Sequence, residues 1–156
     1  MKLIFKQRLF SWLDSYDICS EAGEPVYTVE GRLGWGHRLE IHDAAGRHLG
    51  TVKEEVLTFL PRFAIYLGEQ QVGTIKKELT FFRPSFTVDC CGWRIDGDFF
   101  QWDYVITDGS RQVASVSKEL LHWTDTYIID VADPRDSLMS LMVVLAIDAA
   151  KCSSGN

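Results

Sequence analysis

Asp133-Pro134-Arg135-Asp136-Ser137-Leu138-Met139-Ser140-Leu141-Met142-Val143-Val144-Leu145-Ala146-Ile147-Asp148-Ala149-Ala150 is the stretch that decides the fold. It opens as helices open: Asp133 suits the N-cap, Pro134 the first helical position, and Asp136 the first turn, where negative charge is favoured. The segment that follows is apolar on nearly every side and offers no solvent face before Asp148. In water such a helix must be buried all round. At 1.5 Å per residue, residues 134–150 span about 25 Å, which suits the centre of a barrel better than the face of a sheet.

The rest of the chain supplies the wall. Short β-branched or alternating runs recur, among them Val26–Val29, Arg38–His42, Phe63–Leu67, Phe86–Asp89, Tyr104–Thr107 and Thr126–Val131. Each fits one strand. Turn signals separate them at residues 21–24, 43–46, 68–70, 96–98 and 107–110, where Gly and Asp supply tight-turn geometry. About twelve strands emerge, and so many do not stay comfortably in one open sheet. The expectation is one domain over residues 1–156: a mainly β, closed antiparallel barrel of about twelve strands around a hydrophobic helix at about 134–150.

An internal repeat supports that reading. Gly50-Thr51-Val52-Lys53-Glu54-Glu55, running to Phe59-x-Pro61-x-Phe63, returns 23 residues later as Gly73-Thr74-Ile75-Lys76-Lys77-Glu78 with Phe82-x-Pro84-x-Phe86. A weaker copy begins at Ala114 and carries Lys118, Glu119 and Trp123. The pattern reads as a strand, a corner and a returning strand. Proline breaks the ladder, the phenylalanines plug the core, and the Lys and Glu residues are solvated strand ends and cross-strand pairs.

Composition narrows the function. With 46% hydrophobic residues the chain is globular, and a formal charge of −6 argues against nucleic acid. The N-terminal apolar run is too short for a signal peptide, and no run approaches the 20 or so residues of a membrane span. A cytoplasmic protein with four reduced thiols, Cys19, Cys90, Cys91 and Cys152, is expected. There is no nucleophile elbow, zinc-protease motif, P-loop or dinucleotide fingerprint. His42 and His48 flank a turn and, with Asp43, offer metal ligands, but a satisfied surface pair is the preferred reading. His37 lies close to them in sequence, and His122, beside Trp123 at a corner, reads as structural. Asp96 and Asp98 flank Gly97, near Asp89 and Asp103, and a turn accounts for them better than acid–base chemistry. Most aromatics, including Phe5, Phe10, Trp12, Trp93 and Trp102, belong in the core. Trp35, in Gly34-Trp35-Gly36, is read as a rim plug, with exposure for binding as the alternative. No cofactor is expected, and the chain is not expected to be an enzyme, the alternative being a small metal-dependent enzyme that uses His42, His48 and the neighbouring aspartates.

The repeated Gly-Thr-(Val/Ile)-Lys-x-Glu pattern, its Phe-x-Pro-x-Phe corners and the terminal apolar helix ending at Asp148 resemble the LURP-one-related family of the tubby C-terminal-like superfamily. The resemblance covers essentially the whole chain and implies a twelve-stranded barrel closed on a C-terminal helix. Tubby domains bind phosphoinositides through basic residues on the barrel surface. That implies, as the alternative to a scaffold or interaction domain with an unknown protein partner, a peripheral binder of an anionic lipid headgroup or other phosphorylated ligand. Its candidate cations here are Lys53, Arg62, Lys76, Lys77 and Arg83.

Overall fold

The computed structural model describes residues 1–5, 15–32, 34–79, 83–121 and 124–153. Phe10, Trp12, Phe82, His122 and Trp123 lie outside them.

Twelve strands run in chain order: β1 (Lys2–Phe5), β2 (Ser15–Cys19), β3 (Pro25–Arg32), β4 (Arg38–Asp43), β5 (His48–Glu54), β6 (Arg62–Leu67), β7 (Gln70–Leu79), β8 (Pro84–Val88), β9 (Trp93–Asp98), β10 (Asp103–Asp108), β11 (Arg111–Leu121) and β12 (Thr124–Val131). Each pairs antiparallel with its neighbours in sequence, and β1 closes the barrel on β12, with Leu3 opposite Ile129. Alternation points Val29, Ile41, Val52, Ile65, Ile75, Ile95, Ile106, Val116 and Ile129 inward, where all are buried.

The filling is α1 (Ser137–Ser153). Residues 140–150 are all buried. Tyr27 and Ser137 share a hydrogen bond of 2.6 Å that ties the entering helix to β3. The sequence places the helix start at Pro134, but Pro134–Asp136 form a single 3₁₀ turn, and the α-helix begins at Ser137 and runs on to Ser153. Asp133 caps that turn by accepting the Arg135 amide at 3.0 Å. Nor does Asp148 face solvent: it is 3% exposed, 3.8 Å from Lys151. Burial foremost, and then the Asp148 charge, raise the phenols of Tyr16 and Tyr104 above their ordinary range.

The repeat has a concrete meaning in the wall. In the β4–β5, β6–β7 and β10–β11 hairpins the register slips by one residue, leaving Leu49, Val72 and Val113 unmatched just before Gly50, Gly73 and Ala114. These are β-bulges, which bend a strand and tighten its twist. The β2–β3 hairpin carries the same bulge at Val26, before Tyr27. Val26, Leu49 and Val72 are 23 residues apart, so the repeat begins one hairpin earlier than the glycine pattern suggests. Gly50 is required by crowding. A Cβ there would lie 2.3 Å from Met142 Cε of α1 and 2.5 Å from the Tyr66 carbonyl oxygen.

Two local expectations are corrected. Asp96-Gly97-Asp98 is not a turn but the end of β9. Gly97 has φ +143°, and a Cβ there would meet the Asp103 carbonyl oxygen at 2.4 Å, so it permits close approach of β10. The first Phe-x-Pro-x-Phe corner plugs the core with only one ring: Phe63 is 1% exposed, whereas Phe59 is 97% exposed.

Candidate functional site

Because consecutive strands are antiparallel, their connections alternate between the two ends of the barrel. The connections β2–β3, β4–β5, β6–β7, β8–β9 and β10–β11 share one end, and most are short and polar. The connections β3–β4, β5–β6 and β9–β10 share the other, called here the open end. The five most exposed large apolar side chains of the described residues are all there. Trp35 lies in β3–β4, Leu57 and Phe59 in β5–β6, Leu79 at the end of β7, and Phe100 in β9–β10, each between 64% and 103% exposed. The expectation that Trp35 plugs the rim is therefore wrong: at 88% exposure it projects into solvent. Leu57 also holds φ +66°, a left-handed conformation that is uncommon for leucine. Such strain persists only where the surroundings impose it, and it clusters at functional segments.

Two of these connections brace each other. The His37 amide donates to Glu54 Oε2 at 3.1 Å, and the Glu54 amide donates to the His37 carbonyl at 2.7 Å. His37 Nδ1 and the Glu54 carboxylate form a close contact. Burial holds the His37 imidazole below its ordinary pKa despite that carboxylate. A Cβ on Gly36 would lie 2.9 Å from Val56 Cγ1, so the Trp35 loop rests on the Val56–Phe59 loop.

The candidate cations gather in one sector of the same end. Lys53 is the last residue but one of β5, Arg62 starts β6, and Lys76 and Lys77 lie near the end of β7, with Arg83 just before β8. Lys53 stands opposite Ala64, and Arg62 opposite Lys76. Lys53, Arg62 and Lys76 therefore share the outer face. Lys77 projects to the other face of its strand, in register with buried Phe86. Arg62 is held by Glu55 at 2.9 Å, while Lys53, Lys76 and Lys77 enter no ion pair among the described residues. Five cations stand against Glu54, Glu55 and Glu78, so the sector is positive within a molecule of charge −6.

Below it a groove of about 330 Å³ runs down the wall across β4, β5 and β6. Arg38, Glu40, His42, His48, Thr51, Lys53 and Tyr66 line it, with Glu69 at its lower edge. Arg38 and Lys53 are direct cross-strand neighbours at its upper end. The sequence reading missed Arg38 and Glu40, which belong to no repeat and join the groove only through strand pairing.

The remaining sequence candidates are placed as follows. Asp43 accepts the amides of Ala45 and Arg47 at 3.0 and 2.9 Å and pairs with Arg47, so it serves its turn and not the histidines. Asp96 pairs with Arg94 at 2.9 Å, Asp98 accepts the Gln101 amide, and Asp89 accepts the Thr74 amide at 2.7 Å. Cys19, Cys90 and Cys91 are free, and burial raises the Cys91 thiol to about 12.

A closed twelve-stranded barrel threaded by a C-terminal helix, with one apolar rim, is the class of protein that fold and surface define. The LURP-one-related family model matches residues 1–148, and the chain belongs to that family. It is also 32% identical over 149 residues to a Bacillus subtilis (strain 168) protein described as uncharacterized protein YxjI, covering 95% of this chain and 92% of that one. Among the described residues no helix is long and apolar enough to cross a membrane.

Proposed function

We propose that this is a non-enzymatic, cytoplasmic binding module that docks by its open end on an anionic phospholipid surface. The observation that carries the reading is the coincidence of Trp35, Leu57, Phe59 and Leu79 with the positive sector at one rim. Amphipathic surfaces that lie on membranes combine apolar burial at the headgroup boundary with attraction to anionic lipid. Each lysine or arginine near such a surface contributes about 1 kcal/mol, so the sector supplies several kcal/mol at modest ionic strength. Arg38 and Lys53 then meet headgroup phosphates at the upper end of the groove, while the indole and the phenyl ring sit at the interface.

The test is flotation with vesicles of neutral lipid and of neutral plus anionic lipid, at low and high salt. Binding is expected only with anionic lipid, weakening as salt screens the charges over a Debye length of about 10 Å or less. Reversing Lys53 and Lys76 to glutamate should lower affinity at least ten-fold, since 1.4 kcal/mol is a factor of ten. Glu54, Glu55 and Glu78 interleave with the cations, a mixture that suits a protein partner. Absence of flotation at low salt would overturn the lipid reading in favour of that second one.

A further inference from the structure

We propose that Glu30, Glu40, His42 and His48 form a site for a first-row divalent ion of the zinc class on the outer wall of β3, β4 and β5. The ligand atoms of Glu30, Glu40 and His42 already lie within 4.8 Å of one another. Strand pairing makes that cluster: Glu30 stands directly opposite Glu40, and His42 is two residues along the same face of β4. Two glutamates facing each other across a ladder repel, so the pair requires a cation. Arg32 supplies one now, with Nε 2.7 Å from Glu40 and Nη2 3.0 Å from Glu30, and Arg38 lies 3.6 Å from Glu40. Both arginines are about half exposed, free to swing into solvent when an ion arrives.

The imidazoles are a separate observation. The bulge at Leu49 brings His48 opposite His42. Two imidazole nitrogens bound at about 2.0–2.1 Å to one tetrahedral ion hold their ring centroids about 5.2 Å apart. The centroids of His42 and His48 stand 5.4 Å apart. His42 Nδ1 is buried and has no hydrogen-bond partner among the described residues, and His48 Nε2 is engaged only by the Thr51 hydroxyl at 3.0 Å. Mixed imidazole and carboxylate donors suit zinc and its neighbours, whereas calcium and magnesium prefer all-oxygen sets. Asp43, the carboxylate suggested by sequence proximity, is replaced by two glutamates from the neighbouring positions of the sheet.

The experiment titrates tag-free protein with zinc, and with cobalt as a spectroscopic probe. One ion per chain is expected, with a cobalt spectrum free of thiolate charge-transfer bands, which excludes Cys90 and Cys91 as ligands. His42→Ala and Glu40→Gln should each weaken binding at least ten-fold, with unchanged near-ultraviolet circular dichroism reporting an intact barrel. Arg32→Ala should tighten it by removing the resident cation, a gain that no loss of folding can imitate. Calcium and magnesium should not compete at equal concentration. Failure to bind zinc, or binding that neither His42→Ala nor Arg32→Ala alters, would overturn the site.

Discussion

Single residues set the bore of the barrel. Gly50 faces Met142 of α1 and the Tyr66 carbonyl so closely that no side chain fits without movement. Overpacking of this kind costs about 1–3 kcal/mol. Gly50→Ala should therefore lower stability in urea denaturation by that amount, while Gly34→Ala, with nothing within 4 Å of its Cβ, should stay within about 0.5 kcal/mol. Equal effects would show that α1 does not press on β5 at Gly50. The glycine was legible as a repeated letter, but its cause was not. Sequence periodicity does not reveal which wall residue touches the helix, and the bulges at Val26, Leu49, Val72 and Val113 carry no composition of their own. Gly97 was misread for a related reason: Asp-Gly-Asp has the chemistry of a turn, and only the approach of β10 explains why it sits in a strand.

At the level of elements, the central helix was the plainest feature. Its sequence lacks a polar stripe, and burial follows from that alone. Leu141 is fully buried and Leu57 fully exposed. Leu141→Ala should cost about 2–5 kcal/mol by transfer and cavity terms, against no more than about 0.5 kcal/mol for Leu57→Ala. A thermal or urea series measures both, and similar values would contradict the threaded helix. The start of the helix was less legible because Pro134, Arg135 and Asp136 fit a 3₁₀ turn as well as a first α turn. Asp148 looked like the return of solvent because Tyr16 and Tyr104, which enclose it beside Lys151 of its own helix, come from two distant strands. The site was legible in part for the same reason. Lysines at repeated strand ends were visible in the sequence, whereas the pairing of Arg38 with Lys53 and of Glu30 with Glu40 exists only once the register is fixed.

For the whole molecule, the consequence of an up-and-down barrel is that its two ends are made by different sets of loops. One set was free to become tight polar turns, and the other holds exposed Trp, Leu and Phe. Monomers rarely leave such apolar surface uncovered without a use. Under the proposed reading the open end is the docking face, separate from stability, since none of these exposed side chains contributes to the core. The most direct measurement is flotation of the Leu57→Asp, Phe59→Asp double variant on anionic vesicles, beside an Ala44→Asp, Ala45→Asp control at the opposite end. Loss of binding in the first and retention in the second is the predicted result. Equal binding by both variants would contradict docking through the open end.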